Sequence, residues 1–129
     1  MTFGDRLAHT RVIVRDLLRA LGKMHNAGII HRDIKPPNIL VRSTGRPIFG
    51  DVGIAHFLAD GPLRALEAGT PGYIAPELVV NDGQPVAHPT AIDMYSLGVT
   101  ILACLGVVRG YISPSENLLT RCTGCHANL

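Results

Sequence analysis

The sequence is short of charged residues for a soluble domain. Asp, Glu, Lys and Arg make up 17% of its 129 residues, where about 25% is typical. Hydrophobic residues reach 47% and the mean hydropathy is +0.24. One domain of this length buries only about two-thirds of its chain surface. So apolar a composition indicates either a chain that binds a membrane or one that lacks the neighbours that would cover it.

Long apolar runs, paired cysteines and a strong charge of one sign are also missing. The longest apolar run, Leu97 to Val108, has twelve residues, too few to span a bilayer, and the opening residues lack a signal-peptide pattern. Three cysteines make no paired framework, so a reducing, cytoplasmic setting is expected. The 12 basic residues face 10 acidic ones and are scattered, so nucleic-acid binding has no support.

The chemistry is concentrated in residues 31–40, which read HRDIKPPNIL. The two prolines lack backbone donors, and each biases the residue before it away from the α region. We therefore expect a stiff, extended, non-helical loop. It presents an acid, a lysine and an amide at fixed offsets: Asp33, Lys35 and Asn38. Ile39–Val41 is predicted to follow as a short buried strand that anchors the loop.

Residues 31–40 resemble the catalytic loop of eukaryotic-type (Hanks-type) serine/threonine protein kinases. The signature is H-R-D with a lysine two residues on and an asparagine five residues on. Eight of ten positions match, for which chance gives on the order of 10⁻¹⁰ per start point. The lysine at this offset resembles the serine/threonine branch rather than the tyrosine branch. A turn residue or helix cap, the usual explanation of a lone Asp, does not account for the whole stretch.

Gly50-Asp51-Val52-Gly53 resembles the D-F-G metal motif of the same family and lies 18 residues after Asp33. Glycines on both sides free the backbone to bring the Asp51 carboxylate close to a ligand. An Asp in a Gly-flanked turn is the alternative. The family has phenylalanine where Val52 stands, and that phenylalanine packs against the histidine that corresponds to His31. The resemblance therefore implies an active conformation that is held less firmly.

Residues 69–77 read GTPGYIAPE and resemble the family's G-T-P-x-Y-x-A-P-E segment. The resemblance implies that Thr70 contacts the catalytic Asp and Lys. It also implies that Gly72 and Tyr73 belong to the loop that shapes the pocket beside the phosphoacceptor. Glu77 pairs in the family with an arginine far downstream, and we expect it to be unpaired here.

Residues 54–69 occupy the activation-segment position but contain no Ser, Thr or Tyr. Kinases with an arginine before the catalytic Asp often order this segment by phosphorylation. Here Arg32 is present, but the segment has no Ser, Thr or Tyr that could be phosphorylated and pair with it. Three interpretations stay open: Asp60 or Glu67 supplies a fixed negative charge, the segment is unregulated, or function has decayed.

Two helices are predicted around these motifs. From Asp5 to Asn26, apolar residues recur at three- and four-residue spacing, which predicts an amphipathic helix. Ile92–Leu102 is apolar nearly all round, which predicts a helix buried on every side. It resembles the family's D-x-W-S-x-G helix, with Tyr95 for tryptophan. The resemblance implies that Asp93 bonds the backbone of the catalytic loop, and simple helix capping is the alternative.

The predicted fold is mainly α with a short β-hairpin (α+β), formed by Ile39–Val41 and Ile48–Phe49. Residues 1–108 are expected to be a partial kinase domain, the core of the larger lobe, without the smaller lobe or the last helices. Residues 109–129 are expected to be a divergent or disordered tail. No G-x-G-x-x-G occurs, and Lys23 and Lys35 are the only lysines, so no strand lysine holds the α- and β-phosphates.

The resemblance implies transfer of the ATP γ-phosphoryl group to a Ser or Thr hydroxyl of a protein substrate. Asp33 would orient that hydroxyl and accept its proton, and Lys35 would neutralise charge on the γ-phosphate. Asn38 and Asp51 would hold Mg²⁺, and Leu40 would lie beneath the adenine. Because half of the nucleotide site is missing, we expect no measurable phosphotransfer by the 129-residue chain alone.

Two further functions compete with a kinase fragment. One is a non-catalytic, kinase-derived binding module whose exposed apolar lobe surface docks a partner. The other is a small haem or metal protein, because Cys122-Thr-Gly-Cys125-His126 spells the C-x-x-C-H pattern of haem attachment or half a zinc site. An unstructured tail is the simpler explanation of that motif.

Overall fold

A computed structural model describes residues 2–106. The predicted tail over 109–129 and the Cys122–His126 motif lie outside the described residues. The described part contains three α-helices and four short strands that pair into two antiparallel two-stranded sheets. The helices are α1 (Phe3–Asn26), α2 (Pro76–Val79) and α3 (Pro89–Cys104), and the strands are β1 (Ile29–Ile30), β2 (Ile39–Val41), β3 (Pro47–Phe49) and β4 (His56–Phe57).

Helix α1 begins two residues earlier than predicted because Thr2 caps it. The Asp5 N–H donates to Thr2 Oγ1 at 3.0 Å, and the Thr2 N–H donates to the Asp5 carboxylate at 3.1 Å. These reciprocal bonds form a capping box and satisfy donors that a helix start leaves unpaired. They also lower the pKa of Asp5, because the Thr2 side chain and backbone both donate to the ionised form. The helix ends at Asn26, as predicted, before Gly28 at φ 74°.

The buried face of α1 forms one half of a hydrophobic core. Its buried positions are Thr10, Ile13, Leu17 and Leu21. The three apolar ones pack with residues from the catalytic loop, β2 and α3: Ile34, Ile39, Leu97 and Cys104. Leu7 and Leu18, which the periodicity placed on the same face, are exposed, because the apolar stripe is wider than the surface that the described chain lays against it.

Helix α3 is not buried on every side, so that prediction was wrong for the described residues. One side of α3 packs against α1 and β1, and Ile92 joins a second core cluster beneath residues 63–78. The opposite side leaves Met94, Tyr95 and Leu102 exposed. An apolar sequence predicts burial only where neighbouring elements exist to cover it, and none of the described elements lies there.

The predicted hairpin is confirmed, with Ile39 opposite Phe49 and Val41 opposite Pro47. Two details differ from the prediction. Leu40 points to the outer face and is 47% exposed, because successive side chains of a strand alternate between faces. Residues Pro36–Asn38 form a turn of 3₁₀-helix rather than an extended segment. Both prolines lie in its first turn, where a missing N–H loses no bond.

A second strand pair was not predicted. Ile29 pairs with Phe57 and Ile30 with His56, so the chain beyond Asp51 returns to the base of the catalytic loop. A strand of two residues is too short to show the apolar–polar alternation by which strands are recognised in a sequence. None of the helices in the described part has the length and hydropathy that a bilayer crossing requires.

Candidate active site

The backbone of the catalytic loop is held by one buried carboxylate. Asp93 on α3 is fully buried and accepts the N–H groups of His31 and Arg32, each at 2.9 Å. His25 Nε2, at the end of α1, lies 2.8 Å from the same carboxylate. Helix α3 has no acidic residue in its first turn, so capping does not explain Asp93. The contacts instead hold Arg32 at φ 70°, a left-handed conformation that costs a non-glycine residue about 1 kcal/mol or more.

The side chains of Asp33, Lys35, Asn38 and Thr70 meet in one hydrogen-bonded group. Lys35 Nζ donates to Thr70 Oγ1 at 2.7 Å, and Thr70 Oγ1 donates to Asp33 Oδ1 at 2.8 Å. Asn38 Nδ2 donates to Asp33 Oδ2 at 3.1 Å and to the Asp33 carbonyl at 2.8 Å. Both carboxylate oxygens are therefore oriented, and each keeps a further lone pair for a hydroxyl donor. The Asp33 side chain stays 16% exposed, so a substrate can reach it.

Thr70 reaches Asp33 because a glycine precedes it. Gly69 has φ 113°, and a Cβ built there would lie 2.8 Å from the Arg32 carbonyl oxygen. Both the backbone angle and the close approach exclude a side chain. Gly72 also has a positive φ, 91°, but a Cβ there meets nothing within 4 Å. The two glycines thus differ in what surrounds them.

The Asp51 motif is joined to the catalytic loop through its backbone. The Gly50 N–H donates to the Asn38 carbonyl at 2.7 Å. This bond joins the residue directly before Asp51 to the catalytic loop. Asp51 has φ 48°, and its exposed carboxylate accepts the Gly53 N–H at 3.4 Å. Among the described hydrogen bonds, none joins Asp51 to the side chain of Asp33 or Asn38.

Asn38 and Asp51 carry oxygen atoms of the kind that Mg²⁺ prefers as ligands. Because Asn38 Nδ2 donates to Asp33, the amide oxygen Oδ1 is the atom left to act as a ligand. Within residues 2–106, no group of three or more His, Cys, Asp or Glu side chains converges on one point. Mg²⁺ is often held by one or two carboxylates and keeps several waters, whereas Ca²⁺ and structural Zn²⁺ require more protein ligands.

His31 packs against an aromatic side chain that the sequence reading missed. The His31 ring is fully buried, and its centroid lies 5.8 Å from that of Phe49 at an interplanar angle of 54°. Val52, the position at which the resemblance implies this contact, is 59% exposed. His25 was also missed as a partner of Asp93. Two sequence features could have identified these contacts. Phe49 is an aromatic residue two positions before Asp51, and His25 is a histidine at the end of the helix that leads into the catalytic loop.

Arg32 is engaged by the backbone of the following segment. Its Nε donates to the Ile54 carbonyl at 2.6 Å. Burial lowers the pKa of the Arg32 guanidinium and the Asp93 carboxylate raises it, and a guanidinium stays charged under all ordinary conditions. Among the described residues, Arg32 forms no ion pair with Asp60 or Glu67.

The remaining predicted site residues lie around this centre. Tyr73 is buried, its N–H donates to the Thr70 carbonyl at 3.0 Å, and its carbonyl accepts Ser96 Oγ at 2.6 Å. Glu77 is exposed in the first turn of α2 and belongs to none of the ion pairs of the described residues. Leu40 presents an exposed apolar side chain beside Gly50, where a Cβ would approach it to 2.9 Å.

Comparison with known proteins identifies the family. The protein kinase domain family matches residues 5–117, most of the chain. The chain belongs to the protein kinase family. Several of its curated relatives are named as serine/threonine-protein kinases, in agreement with the loop sequence.

Three relatives illustrate the likeness of this kinase chain. It is 33% identical over 109 residues to a probable serine/threonine-protein kinase of Dictyostelium discoideum, covering 84% of this chain and 16% of the relative. It is 38% identical over 106 residues to the serine/threonine-protein kinase TOS3 of Saccharomyces cerevisiae, covering 74% and 19%. A CBL-interacting serine/threonine-protein kinase of Arabidopsis thaliana is 37% identical over 95 residues, covering 74% and 22%. The chain thus spans less than a quarter of the length of each.

Proposed function

We propose that this chain is the catalytic-centre part of the larger lobe of a serine/threonine protein kinase, acting on Ser or Thr hydroxyls of protein substrates. The observation that carries the proposal is the group formed by Lys35, Thr70, Asp33 and Asn38. It links a base, a cation and an amide in one chain of hydrogen bonds, in which Asp33 bonds Asn38 directly and Lys35 through Thr70. Family membership and the names of the relatives support the same reaction.

In this function Asp33 binds the substrate hydroxyl and takes its proton. Thr70 and Asn38 hold the two carboxylate oxygens, so the base does not have to reorganise as the hydroxyl approaches. Lys35 uses one of its three N–H donors on Thr70 and retains two for an anion. Those two would bind the γ-phosphate and stabilise the charge that develops on it.

ATP is the phosphoryl donor and Mg²⁺ the cofactor of this proposal. The Asn38 amide oxygen and the Asp51 carboxylate are the residues that would hold the metal, and Leu40 offers an apolar surface for the adenine. Bound Mg²⁺ neutralises charge on the phosphate oxygens. No other described side chain is assigned to the metal, in keeping with an ion that retains its waters.

A nucleotide titration tests this proposal without requiring catalysis. We expect millimolar MgATP to raise the melting temperature of the chain, because a ligand that binds only the folded state stabilises it. Asp51→Asn should abolish the shift, whereas Asp60→Asn, which removes an exposed carboxylate away from the site, should leave it intact. A melting temperature that does not respond to MgATP, or that responds equally in Asp51→Asn, contradicts the proposal.

The 129-residue chain by itself is proposed to be inactive in phosphotransfer. It spans less than a quarter of each relative cited, and it has no lysine other than Lys23 and Lys35 for the remaining phosphates. Positioning and electrostatics supply almost all of the catalysis in this reaction. Turnover of radiolabelled ATP that disappears in Asp33→Asn would show that the chain is sufficient.

A non-catalytic binding module is the second candidate function. The observation that favours it is the exposed apolar side of α3, formed by Met94, Tyr95 and Leu102, which a partner could cover. The same titration separates the two functions, because a module that works only through this surface need not respond to MgATP.

A further inference from the structure

Phe49 holds a position at which the sequence offers no obvious role. It lies on β3, two residues before Asp51, and its ring packs against that of His31. We propose that Phe49 is a positioning residue that fixes the His31 ring, and through it the backbone of Asp33. In this chain it replaces an aromatic side chain at position 52. The proposal rests on the proposed function only in the role it gives to Asp33.

The His31 ring links two segments of the site. Its Nε2–H donates to the Gly50 carbonyl at 2.7 Å, and its Nδ1 accepts the Asp33 N–H at 3.1 Å. These two bonds together require the neutral ring with its proton on Nε2. Both bonds lie in the plane of the ring, so the ring can still rock about the line that joins the two partner atoms. A side chain packed against the ring removes that freedom.

Phe49 supplies this contact from a fixed position. Its backbone pairs with Ile39 across the hairpin, and its side chain packs against the core cluster that includes Ile13 and Leu17 of α1. The centroid separation of 5.8 Å and the tilt of 54° lie within the range in which aromatic rings attract each other. The His31 ring is therefore tied to the core of the protein through Phe49.

Position 52 has no share in this contact. Val52 is 59% exposed, and Gly53 follows it in a turn. Asp51–Gly53 can therefore change conformation without taking an aromatic ring away from His31. It follows that the contact of the His31 ring with Phe49 does not depend on the side chain at position 52.

The experiment compares Phe49→Leu with a matched variant of the same hairpin. Val41 is also half-buried and packs against the same core cluster, so Val41→Ala is the control for general loss of packing. We expect the Asp33 amide hydrogen to exchange about two- to twelve-fold faster in Phe49→Leu than the global loss of stability explains. The amide and His31 ring-proton NMR signals should shift as well. In Val41→Ala, exchange at Asp33 should follow the global stability alone.

Substitution at position 52 tests whether an aromatic side chain there affects the Asp33 backbone. Val52→Phe should leave the Asp33 amide signal and its exchange rate unchanged, and it should not restore them in Phe49→Leu. Restoration by Val52→Phe, or equal behaviour of Phe49→Leu and Val41→Ala, overturns the proposal. These measurements use no nucleotide, so a missing response to MgATP would refute the proposed function without altering their outcome.

Discussion

Replacing Asp93 by Asn tests whether one carboxylate holds the catalytic loop. The wild-type side chain has acceptors only and receives N–H groups from His31, Arg32 and His25. The amide of Asn has one oxygen and one NH₂ group. In either orientation of the amide, NH₂ faces at least one buried N–H, which loses its acceptor.

The size of the effect follows from these contacts. An unsatisfied buried donor costs about 1–3 kcal/mol, and each surviving bond weakens by about 1 kcal/mol because its acceptor is no longer charged. Burying a neutral amide in place of a carboxylate offsets part of that loss. We expect a net destabilisation of about 2–4 kcal/mol, which lowers the melting temperature of a domain of this size by about 10 °C.

Urea unfolding and amide hydrogen exchange measure the two parts of this prediction. Asp93→Asn should lower the unfolding free energy and expose the His31 and Arg32 amides to exchange before the rest of the core. Asp16→Asn is the matched control, because its only ion pair within residues 2–106, with Nε of the exposed Arg15 at 3.7 Å, contributes about 0.5 kcal/mol or less. Equal stabilities of the two variants would refute the role given to Asp93.

Two further predictions use neighbouring pairs of residues. Gly69→Ala should cost at least about 1 kcal/mol more than Gly72→Ala in urea unfolding, because both glycines have positive φ but only the first lies against a carbonyl oxygen. Equal costs would contradict the close approach of Gly69 to Arg32. Thr2→Ala should raise the pKa of Asp5 toward its ordinary value of 3.8, as followed by ¹³C NMR of its carboxyl carbon. In the wild type, the stability from this lowered pKa is present above the unfolded-state pKa and is lost as the pH falls through the folded-state pKa. An unchanged Asp5 titration in Thr2→Ala would contradict the capping box.

The elements with strong local signals were predictable from the sequence. The three- and four-residue periodicity of α1 predicted the helix within two residues at its start and to the residue at its end, Asn26. The hairpin followed from two short apolar runs, Ile39–Val41 and Ile48–Phe49, which the structure pairs. Motif spacing identified Asp33, Lys35, Asn38 and Thr70, which the structure brings together.

The features that escaped prediction depend on long-range packing. The sequence cannot show that Phe49 rather than residue 52 meets His31, since that depends on how β3 lies against α1. The pairing of β1 with β4 joins residues 26 and 28 positions apart, and no local sequence pattern indicates such a pairing. The exposed side of α3 was not predicted because the hydropathy of a helix does not show which other elements pack against it.

The measurement that tests the central claim most directly places a paramagnetic metal at the predicted site. Mn²⁺ accepts the same oxygen ligands as Mg²⁺ and broadens the NMR signals of nearby protons. In the presence of ADP, we predict that Mn²⁺ broadens the Asn38 side-chain NH₂ and the Gly53 amide in the wild type and neither in Asp51→Asn. Broadening that is no stronger there than at the distant Gly45 and Gly83 amides, or that persists in Asp51→Asn, would contradict a metal site shared by Asn38 and Asp51.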